Sequence, residues 1–304
     1  MAAATTTYQD QPFSFSELDA HTEERAKQQP VTIAASDGVE LAVTIYEASS
    51  FLGKKADTAL VFYHGGGAHA GAGYQILARG LSEKFGVTVY LPDLRGHGAS
   101  GGPRGDAPSK EQVWSDIDTV LEFVADKHTK VFLGGHSSGG GLVLNYATAA
   151  RKENDSAASK IVQGYLLVSP ELGYLSGTAR PDRRDFAKVN IAAFIANGIF
   201  GVLGHSRAVQ FQYPKEILEA DEGMVAYNTV NMANAVTPES PKEQMKTLCA
   251  KPIALWVGAD DELFVPEIVV EYCPESGAIV PGKNHLGILV EIHENIGKWI
   301  KEQK

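Results

Sequence analysis

The sequence predicts an α/β fold, with a mostly parallel central sheet, helices on both faces and a mainly helical insertion late in the chain. Three observations predict it. From residue 58 onward, short apolar runs alternate with stretches of helical period, the order that parallel strands with crossover helices require. Runs such as Thr58–Tyr63 are apolar throughout, as in strands covered on both faces. Between Gly173 and Lys251 the alternation lapses, so this stretch reads as inserted between two strands.

The elements follow in order. Val31–Ala35 and Glu40–Glu47 are alternating runs joined by Ser36-Asp37-Gly38-Val39, and Asp-Gly between such runs signals a hairpin. Thr58–Tyr63 and Val87–Leu91 read as buried strands, with Ala72–Phe85 as the helix between them. Lys110–Asp126 places Val113, Ile117, Val120, Leu121 and Val124 on one helical face, and Ser109 with Gln112 reads as a capping box at its start. Lys130–Leu133 is a short strand, Leu142–Ala150 a helical stretch and Ile161–Ser169 the next strand. Pro252–Gly258 and Gly277–Pro281 are the last two strands, and Leu286–Ile300 is the closing helix. Residues 1–30 read as a polar extension, and 31–304 as one domain carrying the insertion at about 173–251. Phe186, Val189, Ile191, Phe194, Ile195, Ile199 and Phe200 give that insertion the apolar content of a lid.

Composition narrows the function. The 304 residues are 44% hydrophobic and 21% charged, ordinary for a soluble globular chain. A net charge of −10 argues against nucleic acid and against an anionic membrane surface. Two cysteines, Cys249 and Cys273, suggest no disulfide framework and fit a reducing compartment. The first thirty residues lack the pattern of a signal or transit peptide. The longest apolar run, Val189–Leu203, is broken by Asn190 and Asn197, so no integral membrane segment is expected. A cytoplasmic protein is expected. His64 and His69 lack further convincing ligands and no His-Glu-x-x-His occurs, so neither metal nor organic cofactor is expected. Oligomeric state is left open.

The chemistry starts at Gly135-His136-Ser137-Ser138-Gly139, which ends a strand and opens a helix. A nucleophile elbow needs this arrangement: the turn is so sharp that side chains two before and two after the serine would collide. Gly98-Ala-Ser100-Gly-Gly102 also matches, and Gly204-His-Ser206-Arg-Ala208 nearly does. Neither follows a strand, so Ser100 and Ser206 read as loop serines. A serine needs a base, usually a histidine oriented by a carboxylate, and in this arrangement the order is Ser, acid, His. Asp260, Asp261 and Glu262 follow one late strand; His285 follows the next. His293, inside the last helix, reads as a surface residue. The oxyanion of a tetrahedral intermediate needs donors. The N–H of Ser138 is one; Gly66, with Gly67 as second choice, is the other, from the loop His64-Gly-Gly-Gly-Ala-His69. His64 reads as a structural hydrogen-bonding residue. The same glycines, with Asp93 after the next strand, also fit a dinucleotide site on paper. Against that, the chain has no Tyr-x-x-x-Lys pair, and the serine turn would be unexplained.

Together these segments resemble the α/β-hydrolase superfamily, in the branch of monoglyceride lipases, lysophospholipases and serine aminopeptidase-like enzymes. The carriers are Tyr63-His-Gly-Gly-Gly67, Asp93-Leu-Arg-Gly-His97-Gly-Ala-Ser-Gly-Gly-Pro-Arg-Gly105, Gly135-His-Ser-Ser-Gly139, Val257-Gly-Ala-Asp-Asp261 and Pro281-Gly-Lys-Asn-His285. The likeness covers roughly 31–169 and 252–304 and leaves out the insertion. It implies that Asp261 is the acid, through the Gly-x-x-Asp spacing, and that the Asp93–Gly98 turn is structural. It also implies hydrolysis of a monoacylglycerol, lysophospholipid-like or other small acyl ester by Ser137, His285 and Asp261. Three further readings remain. A peptidase of the same branch would need an acidic subsite, for which Glu171, Asp182, Asp185, Glu219 and Asp221 are candidates. A thioesterase or acyltransferase would use the same residues. A non-catalytic binding protein would have no need of all three.

Overall fold

The computed structural model describes residues 30–48, 57–152, 157–181 and 186–303. Apart from Pro30, the N-terminal extension lies outside the described residues. β1 (Val31–Ala34) and β2 (Glu40–Tyr46) form the expected antiparallel hairpin, with Ile33 opposite Leu41. There follow β3 (Thr58–Tyr63), α1 (Tyr74–Phe85), β4 (Thr88–Pro92), α2 (Lys110–Ala125), β5 (Lys130–His136), α3 (Ser138–Lys152), α4 (Ala157–Ile161) and β6 (Val162–Val168). The insertion holds β7 (Ala187–Val189), α5 (Ile191–Phe200), β8 (Arg207–Phe211), α6 (Lys215–Ala220), β9 (Tyr227–Thr229), α7 (Val230–Val236) and α8 (Pro241–Leu248). The chain then returns through β10 (Ile253–Gly258), α9 (Pro266–Val270), β11 (Gly277–Val280) and α10 (Ile288–Glu302).

Among the described residues, the central sheet has eight strands in the order β1-β2-β4-β3-β5-β6-β10-β11. It is antiparallel at the hairpin and across β2–β4, and parallel from β4 to β11. Because side chains alternate along a strand, each parallel strand feeds two cores. Val61, Val131, Leu133, Leu167 and Leu255 face α2, α3 and α8, meeting Ile117, Leu121, Val143 and Leu248. Leu60, Phe62, Phe132, Leu166 and Trp256 face α1 and α10, meeting Leu77, Leu81, Ile292 and Ile296. Each such fully buried aliphatic side chain contributes about 1.5–3 kcal/mol relative to exposure.

Two local expectations are refined. Ser109 caps α2, its Oγ accepting from Gln112 N at 3.2 Å. The capping box is only half made, because the Gln112 side chain donates instead to Ser36 Oγ and Asp116 Oδ1. The insertion is mainly helical, as expected, yet it also carries a three-stranded antiparallel sheet, β7-β8-β9.

Parallel strands bring their C-terminal ends to one edge. The loops after β3, β5, β10 and β11 therefore meet there, and they carry residues 64–73, Ser137, Asp261 and His285.

Candidate active site

Ser137 is the bend between β5 and α3 and has φ 54°, in the left-handed region that non-glycine residues rarely enter. Such a conformation costs on the order of 1–3 kcal/mol and persists only where its surroundings fix it. Here its N–H donates to Val168 O at 3.0 Å, and its carbonyl accepts from Gly140 N at 2.9 Å and Glu171 N at 2.9 Å. The flanking glycines are required by space: a Cβ on Gly135 would stand 2.3 Å from Gly139 C, and one on Gly139 2.4 Å from Tyr63 O.

The acid and the histidine expected from the late strands come together. His285 Nδ1 donates to Asp261 Oδ2 at 2.8 Å, and both side chains are buried. Asp261 Oδ1 accepts from the backbone N–H groups of Leu263 and Phe264, each at 2.9 Å. Burial opposes the charge on Asp261, but facing His285 and these two N–H groups hold its carboxyl below the usual range. Burial likewise opposes a charged His285, and the Asp261 carboxylate outweighs it, raising the imidazole above its ordinary value. Of the three adjacent acids, Asp260 is exposed. Glu262 takes a different part: its Oε2 accepts the His285 backbone N–H at 2.8 Å, and burial raises its carboxyl.

The loop after β3 wraps the other side of Ser137. His64 is buried; its Nδ1 donates to Gly65 O at 2.9 Å and its Nε2 accepts Leu94 N at 3.0 Å. Burial pushes it down to about 3, so it is a neutral strut. Gly65 O also accepts from Ala68 N at 3.3 Å, which turns the Gly66 N–H of the same peptide the opposite way. Gly65 and Gly66 border the elbow: a Cβ on Gly65 would meet Ser137 Cβ at 3.2 Å, and one on Gly66 would meet Ser138 Oγ at 3.4 Å. Gly67, at φ 71°, turns away toward Val225, Phe211 and Tyr213 of the insertion.

Two residues tie these loops together and carry no sequence signal of their own. His136 sits between Tyr74 Oη at 2.9 Å and His285 O at 2.9 Å, and its ring lies 4.7 Å from that of His285. Tyr74 Oη in turn accepts Gly65 N at 2.7 Å. Tyr74 stands 62 residues from His136, a contact only the fold creates.

The insertion touches the same loop. Tyr213 donates to Gly66 O at 2.6 Å, Val225 N to Gly67 O at 2.7 Å, and His69 Nε2 pairs with Asp221 at 2.8 Å. Phe186, Phe211 and Tyr213 form an aromatic cluster above Gly66, with ring centroids 5.1–6.0 Å apart.

The remaining expected residues stand apart. Ser100 Oγ accepts Ala42 N and donates to Asp93 O, a structural role. Ser206 lies in the insertion, its carbonyl accepting Val230 N. Asp93 spends both oxygens on the backbone N–H groups of Ala70 and Ala99. Arg95 in the same turn is buried between Asp116 and Asp37. His293 is corrected: it is buried, its ring against Gly80 and its Nε2 accepting from Lys84 at 3.1 Å, because α10 presents this position to α1. Of the acids considered for a peptidase subsite, Asp182 and Asp185 lie outside the described residues. Among the described residues, no cluster of three or more His, Cys, Asp or Glu could hold a metal ion, and no helix is long and apolar enough to cross a membrane.

The family model of serine aminopeptidase, S33, matches residues 54–268. An uncharacterized abhydrolase domain-containing protein of Dictyostelium discoideum is 27% identical over 263 residues, 79% of this chain and 26% of that protein. A monoacylglycerol lipase of Mycolicibacterium smegmatis is 35% identical over 89 residues, 29% of this chain and 31% of that one. The chain thus spans less than a third of the length of either relative. Among solved structures, a soluble variant of monoglyceride lipase from Saccharomyces cerevisiae has a TM-score of 0.66 at 17% identity, covering 92% of this chain and 98% of that one. Monoacylglycerol lipase from Paleococcus ferrophilus has a TM-score of 0.60 at 22% identity, covering 87% and 100%. The chain belongs to the serine aminopeptidase S33 family of α/β-hydrolases.

Proposed function

We propose that this chain is a serine hydrolase of carboxylic esters, acting on a monoacylglycerol, a lysophospholipid-like ester or another small acyl ester. The observation that carries it is the buried His285–Asp261 hydrogen bond at 2.8 Å beside a serine held in the left-handed conformation. With Nδ1–H given to Asp261, Nε2 is the ring atom that takes the proton in this mechanism. His285 takes the Ser137 proton as Oγ attacks the acyl carbon, and Asp261 stabilises the imidazolium. The N–H groups of Ser138 and Gly66 hold the oxyanion; the nearness of Gly66 to the elbow favours it over Gly67. The imidazolium then protonates the leaving alcohol. Water deprotonated by His285 attacks the acyl-enzyme, and the acid leaves with Ser137 restored. No cofactor enters these steps.

Residues 173–251 act as a cap on a single domain of residues 31–304. The Phe186, Phe211 and Tyr213 cluster offers an apolar wall for an acyl chain. The outer face of α5 exposes Ile191, Ile195, Ile199 and Phe200, which suits an enzyme meeting lipid aggregates. An ester is favoured over a peptide because the described acids are engaged. Asp221 pairs with His69, Glu219 with Lys215, and Glu171 accepts Gly173 N. The free thiols Cys249 and Cys273 suit a reducing compartment such as the cytoplasm.

The test is steady-state hydrolysis of a series of monoacylglycerols and p-nitrophenyl esters by the wild type and Ser137→Ala. Ester turnover that Ser137→Ala abolishes is expected. Turnover by Ser137→Ala equal to the wild type contradicts the reading.

A further inference from the structure

We propose that the side-chain hydroxyl of Ser138 is a third donor to the oxyanion, beside the two backbone N–H groups. The proposal rests on the serine-esterase reading above. Ser138 is the first residue of α3, and its Oγ is out of reach of solvent. Among the described residues it has no hydrogen-bond partner. A buried hydroxyl without a partner is costly in a resting structure, so native folds rarely keep one.

Its position supplies the reason. The Oγ would stand 3.4 Å from a Cβ on Gly66, which puts it against the glycine whose N–H is the loop donor. The hydroxyl is borne by the residue whose own N–H is the elbow donor. It is therefore borne by one of the two proposed donors and packs against the other. Phe211 closes over Gly66, where a Cβ would come 2.8 Å from its ring, so the glycine's outer side is walled with carbon. A hydroxyl proton rotates freely and needs only an acceptor.

That acceptor arrives with the reaction. As Ser137 Oγ bonds to the acyl carbon, the carbonyl π pair moves onto oxygen, and the Ser138 hydroxyl donates a hydrogen bond to it. No proton is transferred, and the bond is lost when the carbonyl re-forms. A donor idle in the free enzyme and engaged in the tetrahedral state stabilises the transition state selectively, which raises kcat rather than lowering KM.

The test is Ser138→Ala, assayed with a p-nitrophenyl ester and with two inhibitors of one chain length. One inhibitor is a trifluoromethyl ketone, which adds the serine and forms an oxyanion. The other is the matching methyl ketone, which occupies the pocket without adding. The expected result is a fall of about 10- to 100-fold in kcat with KM within about two-fold. Trifluoromethyl ketone affinity falls by a similar factor, methyl ketone affinity holds, and Tm is unchanged or raised because an unpartnered buried hydroxyl has been removed. A kcat within two-fold of the wild type overturns the proposal. So does equal weakening of both ketones, or a lowered Tm, since either assigns the hydroxyl to structure. Failure of the underlying reading shows separately, as full activity in Ser137→Ala.

Discussion

His136 donates its Nε2–H to the carbonyl oxygen of His285 at 2.9 Å, and the direction of that bond is forced. Gly65 N–H can only donate, so Tyr74 Oη accepts it and sends its own proton to His136 Nδ1. The Nδ1 atom is then an acceptor and the proton sits on Nε2. A neutral ring is required, and burial holds His136 neutral down to about 3. One chain of hydrogen bonds thus links the loop after β3, the residue before Ser137 and the backbone of His285.

Breaking this chain at its centre separates its effects. Tyr74→Phe leaves Gly65 N–H and His136 Nδ1 without partners and lowers stability by about 1–3 kcal/mol. On the proposed mechanism it also loosens the oxyanion loop, so kcat falls about ten-fold with little change in KM. Urea unfolding beside steady-state kinetics checks both.

The acids after β10 have distinct expected effects. Asp261→Asn removes the group that fixes the His285 tautomer and should lower kcat by about 10³- to 10⁴-fold. Asp260→Asn, at an exposed position, should leave kcat unchanged. Glu262→Gln keeps an acceptor for His285 N and should cost less than ten-fold. Kinetics on the three variants rank them.

On the proposed mechanism, the pH dependence of activity follows from His285. It must be neutral to accept the serine proton, and facing Asp261 raises its pKa against the pull of burial. The acid limb of kcat/KM should therefore fall above the unperturbed value of about 6.5. It should move down in Asp261→Asn, read from the residual rate.

Acid stability is set by other histidines. Burial pushes His64, His97 and His136 down to about 3 in the folded chain. Unfolded, they titrate near 6.5, so below that pH the unfolded chain binds protons that the folded one refuses, and stability falls toward pH 3. Asp261, whose pKa is lowered, stabilises above its unfolded value and loses this as pH falls through its folded value. His285, raised, does the reverse, losing its contribution as pH rises through its folded value. Urea midpoints from pH 7 to pH 4 should drop steadily; a flat profile contradicts this account.

The elbow glycines give a prediction about folding. Gly135→Ala sets a methyl 2.3 Å from the Gly139 backbone, which cannot move without undoing the turn. A loss of about 1–3 kcal/mol or more is expected, read as a lowered Tm.

What the sequence makes legible follows from local physics. Buried parallel strands are apolar throughout, so β3, β4 and β10 stand out, and a sharp strand-to-helix turn needs Gly135 and Gly139. Asp261 and His285 meet because both follow late parallel strands, which end on one edge. The sheet β7-β8-β9 is not legible: its strands of three to five residues are partly polar, and their partners are far apart in the chain. The network of Tyr74 and His136 and the burial of His293 depend on helix packing, which periodicity does not resolve to a single residue.

The most direct test of the central claim is labelling with an alkyl fluorophosphonate, comparing the wild type with Ser137→Ala and Ser100→Ala and mapping the modified peptide. The expected result is one modified residue, Ser137, with labelling lost in Ser137→Ala and retained in Ser100→Ala. Labelling that persists in folded Ser137→Ala, or a folded wild type that stays unlabelled even after residues 173–251 are replaced by a short linker, would contradict it.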